Sequence, residues 1–189
     1  MSKKAKTTNT VNRTLMNLEV VNLSSWAREF KDQPMESGKT RIQSLPIKTQ
    51  WAFVKNMKIL DAETQKFEEF RDGLIEQLRA EYFNEERSVE GKQPQIGENG
   101  EVVTDAEGNP VMQDILTVKD EYMDQYREEV EKLNQAINEV ATEKNVYTFT
   151  FIDVDAIVED LPDDTEITVD DLNMLTAFTA DESEDESDK

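Results

Sequence analysis

The chain has 189 residues and a formal net charge of −21, and it contains neither cysteine nor histidine. These absences exclude disulfides, thiolate catalysis, imidazole general bases and the usual zinc ligands. With 37% hydrophobic and 33% charged residues, the chain has material for a thin core and a strongly solvated, elongated shape.

Charge is distributed unevenly along the chain. Residues 1–58 hold 11 Lys/Arg against 4 Asp/Glu, a net of +7, whereas residues 59–189 hold 10 against 38, a net of −28. No apolar run is typical of a signal peptide, and none reaches the length of about 18 residues that spans a membrane. We therefore expect a cytoplasmic protein that does not enter a membrane.

The first quarter of the chain predicts short elements. The apolar segment 15–23 is compatible with either a strand or a helix. Ser24 and the serine that follows it favour the start of a short helix, which Pro34 ends. Gly38 then marks a loop.

Two long helices dominate the prediction. The first is expected from Pro46 to about Phe83, because proline fits the first turn of a helix. The second is expected from Thr117, where Thr-x-x-Asp resembles a capping box. Heptad spacing in the first helix runs through Phe53, Met57, Leu60, Thr64, Phe67, Arg71, Leu74 and Leu78. In the second helix the apolar seam is Met123, Tyr126, Val130, Leu133, Ile137 and Val140. The two seams predict a coiled-coil-like antiparallel hairpin.

Turn-forming residues at 98–101 and 105–110 predict a loop or β-hairpin inserted between these helices, over residues 84–116. After Lys144 the apolar period changes to two, which predicts a strand over 146–152.

The C-terminal segments predict shorter elements. A short helix is expected at 155–159 and a turn at 162–164. The pair Thr168 and Asp171 predicts a capped final helix that extends to Phe178.

Together these elements predict an α+β fold that is mainly α, in which the long antiparallel helical hairpin covers residues 46–144. Residues 15–43 and 145–180 would form a small globular base with a short β element. We expect one domain over 13–180. The basic residues 1–12 and the acidic residues 181–189 would be disordered tails.

Carboxylates at Asp153 and Asp155 have the DxD pattern of some metal-nucleotide sites. In a chain this rich in acids we interpret them as solvated side chains at the end of a strand. There is no phosphate-binding glycine motif. We therefore expect a protein that is not an enzyme and that uses no cofactor or metal.

The segment 44–60, SLPIKTQWAFVKNMKIL, contains three lysines and no acid. On a helix it presents two apolar stripes, one with Ile47, Trp51 and Val54 and the other leading into the heptad seam. A segment that is apolar on two sides predicts burial on both, and hence a buried Trp51.

The lysines of this segment suggest two roles. Basic residues beside an aromatic ring are typical of surfaces that bind single-stranded nucleic acid. The alternative, which we favour because the rest of the chain repels phosphate, is that they face the acidic region 153–171 of the same chain. The candidate partner contacts are Lys48, Trp51, Lys55 and Lys58.

The order of features resembles a family of small uncharacterised bacteriophage and prophage proteins from Gram-positive hosts, known only as a domain of unknown function. The resemblance covers residues 15–180. It rests on the Leu-Pro helix start with Leu45, Pro46, Trp51, Val54, Asn56 and Leu60, then the hairpin, the strand and the closing helix 169–178. The insertion at 90–114 and the acidic tail depart from the pattern. The resemblance implies a phage-encoded protein in the host cytoplasm, and it carries over no catalytic residues because the family has none assigned.

We therefore expect a non-enzymatic phage-type protein that binds a protein partner, as an assembly or host-takeover factor, and does not bind nucleic acid directly. The alternative is an acidic DNA mimic that inhibits a host nucleic-acid-binding protein. Against the mimic, the helical acids are mixed with basic residues, as on an ordinary solvated face.

Overall fold

A computed structural model describes residues 10–97, 99–160 and 166–179 of the chain. Over these residues the strands are β1 (Thr10–Met16), β2 (Ser88–Pro94), β3 (Met112–Val118) and β4 (Lys144–Thr150). The helices are α1 (Asn17–Asp32), α2 (Arg41–Ser44), α3 (Ile47–Tyr82), α4 (Asp120–Thr142), α5 (Val154–Asp160) and α6 (Val169–Leu175), and a 3-10 turn follows at Thr176–Phe178. This confirms an α+β fold that is mainly α. The predicted turn at 162–164, the acidic tail 181–189 and most of the basic tail lie outside the described residues.

The chain divides into two compact units. The first unit contains the residues up to 68 and those from 139 onward, and the second contains residues 69–138. The boundaries fall inside α3 and α4, so each of these helices contributes to both units. In the part of the chain that the structure describes, no helix has the length and apolar character needed to cross a membrane.

In the first unit, β1 pairs with β4 in an antiparallel register that runs from Thr10 opposite Thr150 to Met16 opposite Lys144. The prediction that the basic tail includes residues 10–12 is therefore wrong. Side chains alternate along β1, with Thr10 exposed and Val11 packed against the core. This alternation lets a mostly polar segment form a half-buried strand.

Helix α1 begins earlier than the serine pair suggested, so the prediction of a helix starting at Ser24 is wrong. Its first turn is closed by Glu19, whose Oε2 accepts the backbone N–H of Met16 at 2.7 Å. Ser24 instead lies buried in mid-helix and donates from Oγ to Asp61 Oδ1 at 3.0 Å. The predicted end near Pro34 is confirmed, because α1 ends at Asp32.

Aromatic side chains from distant parts of the chain form the core of the first unit. Phe30 of α1 lies 5.4 Å from Phe53 of α3, and Phe149 of β4 lies 5.1 Å from Phe178, measured between ring centroids. The largest fully buried apolar side chains of this core are Val20, Phe30, Phe53, Leu60, Phe149, Ile152, Ile157, Leu175 and Phe178.

The predicted bounds of the first long helix are confirmed, since α3 begins one residue after Pro46 and ends at Tyr82. Burial follows the predicted heptad only in the part of α3 that belongs to the first unit. Phe53, Met57, Leu60, Thr64 and Phe67 are buried, whereas the later positions are half-buried.

In the second unit, β2 and β3 pair as a β-hairpin, the second of the two predicted possibilities, and both strands lie outside the predicted turns at 98–101 and 105–110. Ser88 is opposite Val118, and Pro94 is opposite Met112. Because Thr117 belongs to β3, the prediction that the second helix starts there is wrong. The helix α4 starts at Asp120, and its predicted seam is half-buried throughout.

The tip of the hairpin has two turns that require a left-handed backbone. Gly100 and Gly108 have φ values of 82° and 85°, which glycine adopts without the steric penalty of a side chain. At the second turn Asp105 Oδ1 accepts the backbone N–H of Asn109 at 2.8 Å. This hydrogen bond lowers the pKa of the Asp105 carboxyl, because it favours the charged form.

Candidate protein-interaction surface

The start of α3 is attached to the sheet of the first unit by one buried amide. Asn56 Nδ2 donates to the backbone oxygen of Thr150 at 2.8 Å, and its Oδ1 accepts the Thr150 N–H at 2.7 Å. The side chain thus replaces a neighbouring strand at the outer edge of β4. This pair fixes which face of α3 is directed inward.

The opposite side of this helix start is open to solvent. Ile47 is 76% exposed and Trp51 is 61% exposed, so the prediction that Trp51 is buried is wrong. The reason is that the neighbouring elements meet α3 elsewhere. Rings of α1 contact Phe53, with the Trp26 centroid at 5.9 Å, and β4 contacts Asn56.

Three lysines lie on the same side of α3 as Trp51. With 3.6 residues per turn, Lys48, Lys55 and Lys58 fall within about 100° of Ile47 around the helix axis. All three are exposed, and Lys55 Nζ lies 5.3 Å from the centroid of the Trp51 ring. This distance is typical of a cation–π interaction. We call Ile47, Lys48, Trp51, Lys55 and Lys58 the Trp51 face.

A cleft of about 490 Å³ lies along one edge of the Trp51 face. Trp51 and Lys48 line one side of it, and Phe151 and Asp153 line the other. Volumes of a few hundred cubic ångströms are typical of ligand clefts. The cleft therefore offers two aromatic rings and both signs of charge to a bound group.

Asp153 already has a structural role at this cleft. Its Oδ1 accepts the backbone N–H of Ala156 at 3.0 Å and so caps the first turn of α5. Asp155 is exposed on the same helix. Over the described residues, no three or more carboxylates are grouped in a way that could hold a metal ion.

The expectation that the lysines face the acidic region of the same chain has only partial support. Lys48 shares the cleft with Asp153. Within the described part of the chain, however, none of the ion pairs closer than 4.0 Å involves Lys48, Lys55 or Lys58. Many other basic side chains do pair, as Arg41 does with Asp171 at 2.7 Å.

Two other clefts are weaker candidates. One, in the first unit, contains Arg13, whose guanidinium already donates to the backbone oxygens of Ala177 and Thr176 at 3.2 and 3.1 Å. The other, in the second unit, is an apolar groove lined by Ile75, Leu78, Arg79, Phe83, Ile115, Leu116 and Tyr126. Neither combines an exposed tryptophan with several exposed lysines.

Comparison with known proteins adds no relative from which a role could be transferred. No protein-family model matches the chain, and no curated protein or solved structure is significantly similar to it. The candidate site therefore rests on geometry alone. Sequence reasoning singled out the four residues Lys48, Trp51, Lys55 and Lys58 but missed Phe151, whose only signal was its place in an alternating strand.

Proposed function

We propose that this chain is a non-enzymatic protein-binding protein that holds a protein partner on the Trp51 face. The observation that carries the proposal is the exposure of Trp51 beside a cleft, on a helix whose opposite side is fixed to the core. Tryptophan is enriched among the few residues that contribute most of the binding energy at protein interfaces.

The rigidity of its support favours Trp51 as such a residue. The side chains on the inner face of the same helix turn, Ala52 and Phe53, are buried, and Asn56 is hydrogen-bonded to the sheet. A side chain on a fixed helix loses little backbone entropy on binding. The cation–π contact with Lys55 further restricts the indole ring.

We also propose that α3 and α4 form the predicted antiparallel helical hairpin. Contacts within the second unit support the pairing. The Tyr82 ring at the end of α3 lies 5.2 Å from Tyr126 near the start of α4, and Leu74 and Leu133 line a common cleft. The phage setting is proposed from the resemblance alone.

The direct test compares partner recovery by matched variants. A tagged chain would be recovered from the cells that produce it, and the co-purifying proteins would be quantified by mass spectrometry. Trp51→Ala should lower recovery of the partner at least tenfold. The control Val169→Ala removes an even more exposed apolar side chain (73%) that does not line the cleft, and should leave recovery unchanged.

The purified partner would then be titrated with each variant. Loss of an interface tryptophan of this kind weakens Kd by a factor of about 30 or more, which corresponds to about 2 kcal/mol. Unchanged recovery and unchanged Kd for Trp51→Ala would contradict the proposed function.

A further inference from the structure

From the charges around Trp51 we infer the chemistry of the partner: the Trp51 face binds an acidic peptide segment that inserts an apolar side chain beside Trp51. This inference rests on the proposed function and adds the class of ligand to it. It is carried by the three lysines of the face and by the aromatic lining of the cleft.

The three lysines of the Trp51 face lie in a chain with twice as many acids as bases, 42 against 21. Over the described residues, no carboxylate lies within 4.0 Å of Lys48, Lys55 or Lys58. Other lysines pair with a nearby acid, as Lys66 does with Glu63 at 2.6 Å and Lys132 with Glu129 at 2.7 Å. The cations of the Trp51 face are therefore available to anionic groups of a ligand.

The charged side chains nearest the cleft determine the sign of the ligand's charge, despite the net charge of −21 on the whole chain. At physiological ionic strength the Debye length is about 8 Å, so exposed acids farther away than this are largely screened. The acid that lines the cleft is Asp153, whose carboxylate accepts the N–H of Ala156. Carboxylates of a ligand would therefore lie on the Lys48 side of the cleft, away from Asp153.

The aromatic residues of the cleft account for the second feature of the ligand, its apolar side chain. Trp51 and Phe151 line the same cleft, whose volume of about 490 Å³ accommodates a large side chain. Burying such a side chain stabilises a complex more than an exposed ion pair does, because solvent and salt screen exposed charges. An acidic segment without an apolar residue would accordingly bind weakly.

The test is a fluorescence-anisotropy titration of the full chain with a labelled peptide, Glu-Glu-Phe-Glu-Glu. We expect saturable binding that weakens as salt is added. The matched neutral peptide, Gln-Gln-Phe-Gln-Gln, should bind at least tenfold more weakly. Equal affinity for the two peptides, or no binding of the acidic one, would overturn the inference.

Two variants of equal charge separate local from overall electrostatics. Replacing the three lysines of the Trp51 face by glutamine should weaken acidic-peptide binding at least tenfold. Replacing three lysines that form ion pairs, Lys31, Lys66 and Lys132, changes the net charge by the same amount and should leave affinity within about twofold. Equal losses in both variants would overturn the inference, because binding would then depend on net charge alone.

Other occupants of the cleft are distinguishable outcomes. An eight-nucleotide oligo-dT would be titrated in the same way. If it binds more tightly than the acidic peptide, and if the triple lysine variant loses this binding, the ligand is single-stranded nucleic acid and the inference of a peptide is overturned. A full-length variant with the acids of residues 181–189 changed to amides tests the chain's own acidic segment. A tenfold gain in peptide affinity for this variant would mean that this segment occupies the site, and would overturn the inference of an external acidic partner.

The peptide titration and the partner-recovery experiment can fail independently of each other. If the acidic peptide fails to bind while partner recovery still depends on Trp51, the protein-binding role stands and only the acidic character of the partner is refuted. If recovery does not depend on Trp51, the proposed function itself is refuted.

Discussion

Asn56 and Thr150 form a two-way hydrogen-bonded pair in which a helix side chain takes the place of a neighbouring strand. The amide accepts from the Thr150 N–H at 2.7 Å and donates to its oxygen at 2.8 Å, and Asn56 is fully buried. Since unpaired buried backbone groups are costly, this pair lets β4 end against α3 without a third strand. It also sets the rotation of α3 that leaves Trp51 outside.

Asn56→Ala should lower the free energy of unfolding by about 2–4 kcal/mol, because it leaves both backbone groups of Thr150 without a partner. Asn56→Asp should be no better, since a carboxylate cannot donate to the Thr150 oxygen. Urea denaturation measures both changes. The control Asn134→Ala, at an exposed position of α4, should change stability by no more than about 0.5 kcal/mol. Equal effects at the two asparagines would contradict the role given to Asn56.

Trp51→Ala should change the free energy of unfolding by only about 0.5 kcal/mol, as exposed substitutions do. The buried neighbour Phe53 provides the comparison, and Phe53→Ala should cost about 3–5 kcal/mol. Thermal and chemical denaturation of the two variants measures both changes in the free energy of unfolding. A large loss for Trp51→Ala would mean that the side chain is buried and would invalidate its use as a binding variant.

Asp171→Asn should lower stability by about 3–5 kcal/mol, because it leaves a nearly buried guanidinium without its anion. Asp171 is 4% exposed, pairs with Arg41 at 2.7 Å and accepts from Trp26 Nε1 at 3.1 Å. The control Asp72→Asn breaks an exposed pair with Arg71 and should cost less than about 1 kcal/mol. Similar losses in the two variants, measured by urea denaturation, would contradict a structural role for the buried pair.

Tyr147 should make the protein less stable at alkaline pH. Its ring is buried in the core, its hydroxyl donates to Asn17 Oδ1 at 3.0 Å, and burial raises the pKa of the phenol. The unfolded chain then loses the proton first, near the ordinary tyrosine pKa of about 10. The stability contributed by the neutral phenol is therefore fully present below that pH, and is lost as pH rises through the higher pKa of the folded state.

The measurement is denaturation of the natural chain and Tyr147→Phe between about pH 8 and pH 11. Below pH 10 the natural chain should be more stable than Tyr147→Phe by about 1 kcal/mol, the typical contribution of one hydrogen bond to stability. Above pH 10 the difference should shrink. A difference that stays constant over the whole range would contradict a raised pKa.

Periodicity predicted the elements that are regular over many residues. The bounds of α3, the strand β4 and the capped start of α6 follow from local rules, and Thr168 Oγ1 accepts the Asp171 N–H at 3.1 Å as its motif predicts. The strand β1 was missed in part because its pairing partner, β4, lies far along the chain. Nothing local distinguishes Thr10 in a paired strand from threonine in a tail.

The exposure of Trp51 could not be predicted for a related reason. Two apolar stripes on one helix indicate two possible contacts, but only the tertiary arrangement decides whether a second element covers each. Here α1 and β4 cover the Phe53 side and leave the Trp51 side open. The same uncertainty applied to the lysines, because only the tertiary arrangement decides which carboxylates lie near them, and over the described residues none lies within ion-pair distance.

The central claim is that a protein partner lies on the Trp51 face, and site-specific photo-cross-linking in the producing cell tests it most directly. Benzoylphenylalanine placed at Ile47, which is 76% exposed one helical turn from Trp51, should give one dominant cross-linked protein. The same group at Val146, which is 68% exposed on β4 and does not line the cleft, should not capture that protein. Equal cross-linking from both positions, or none from Ile47, would contradict the claim.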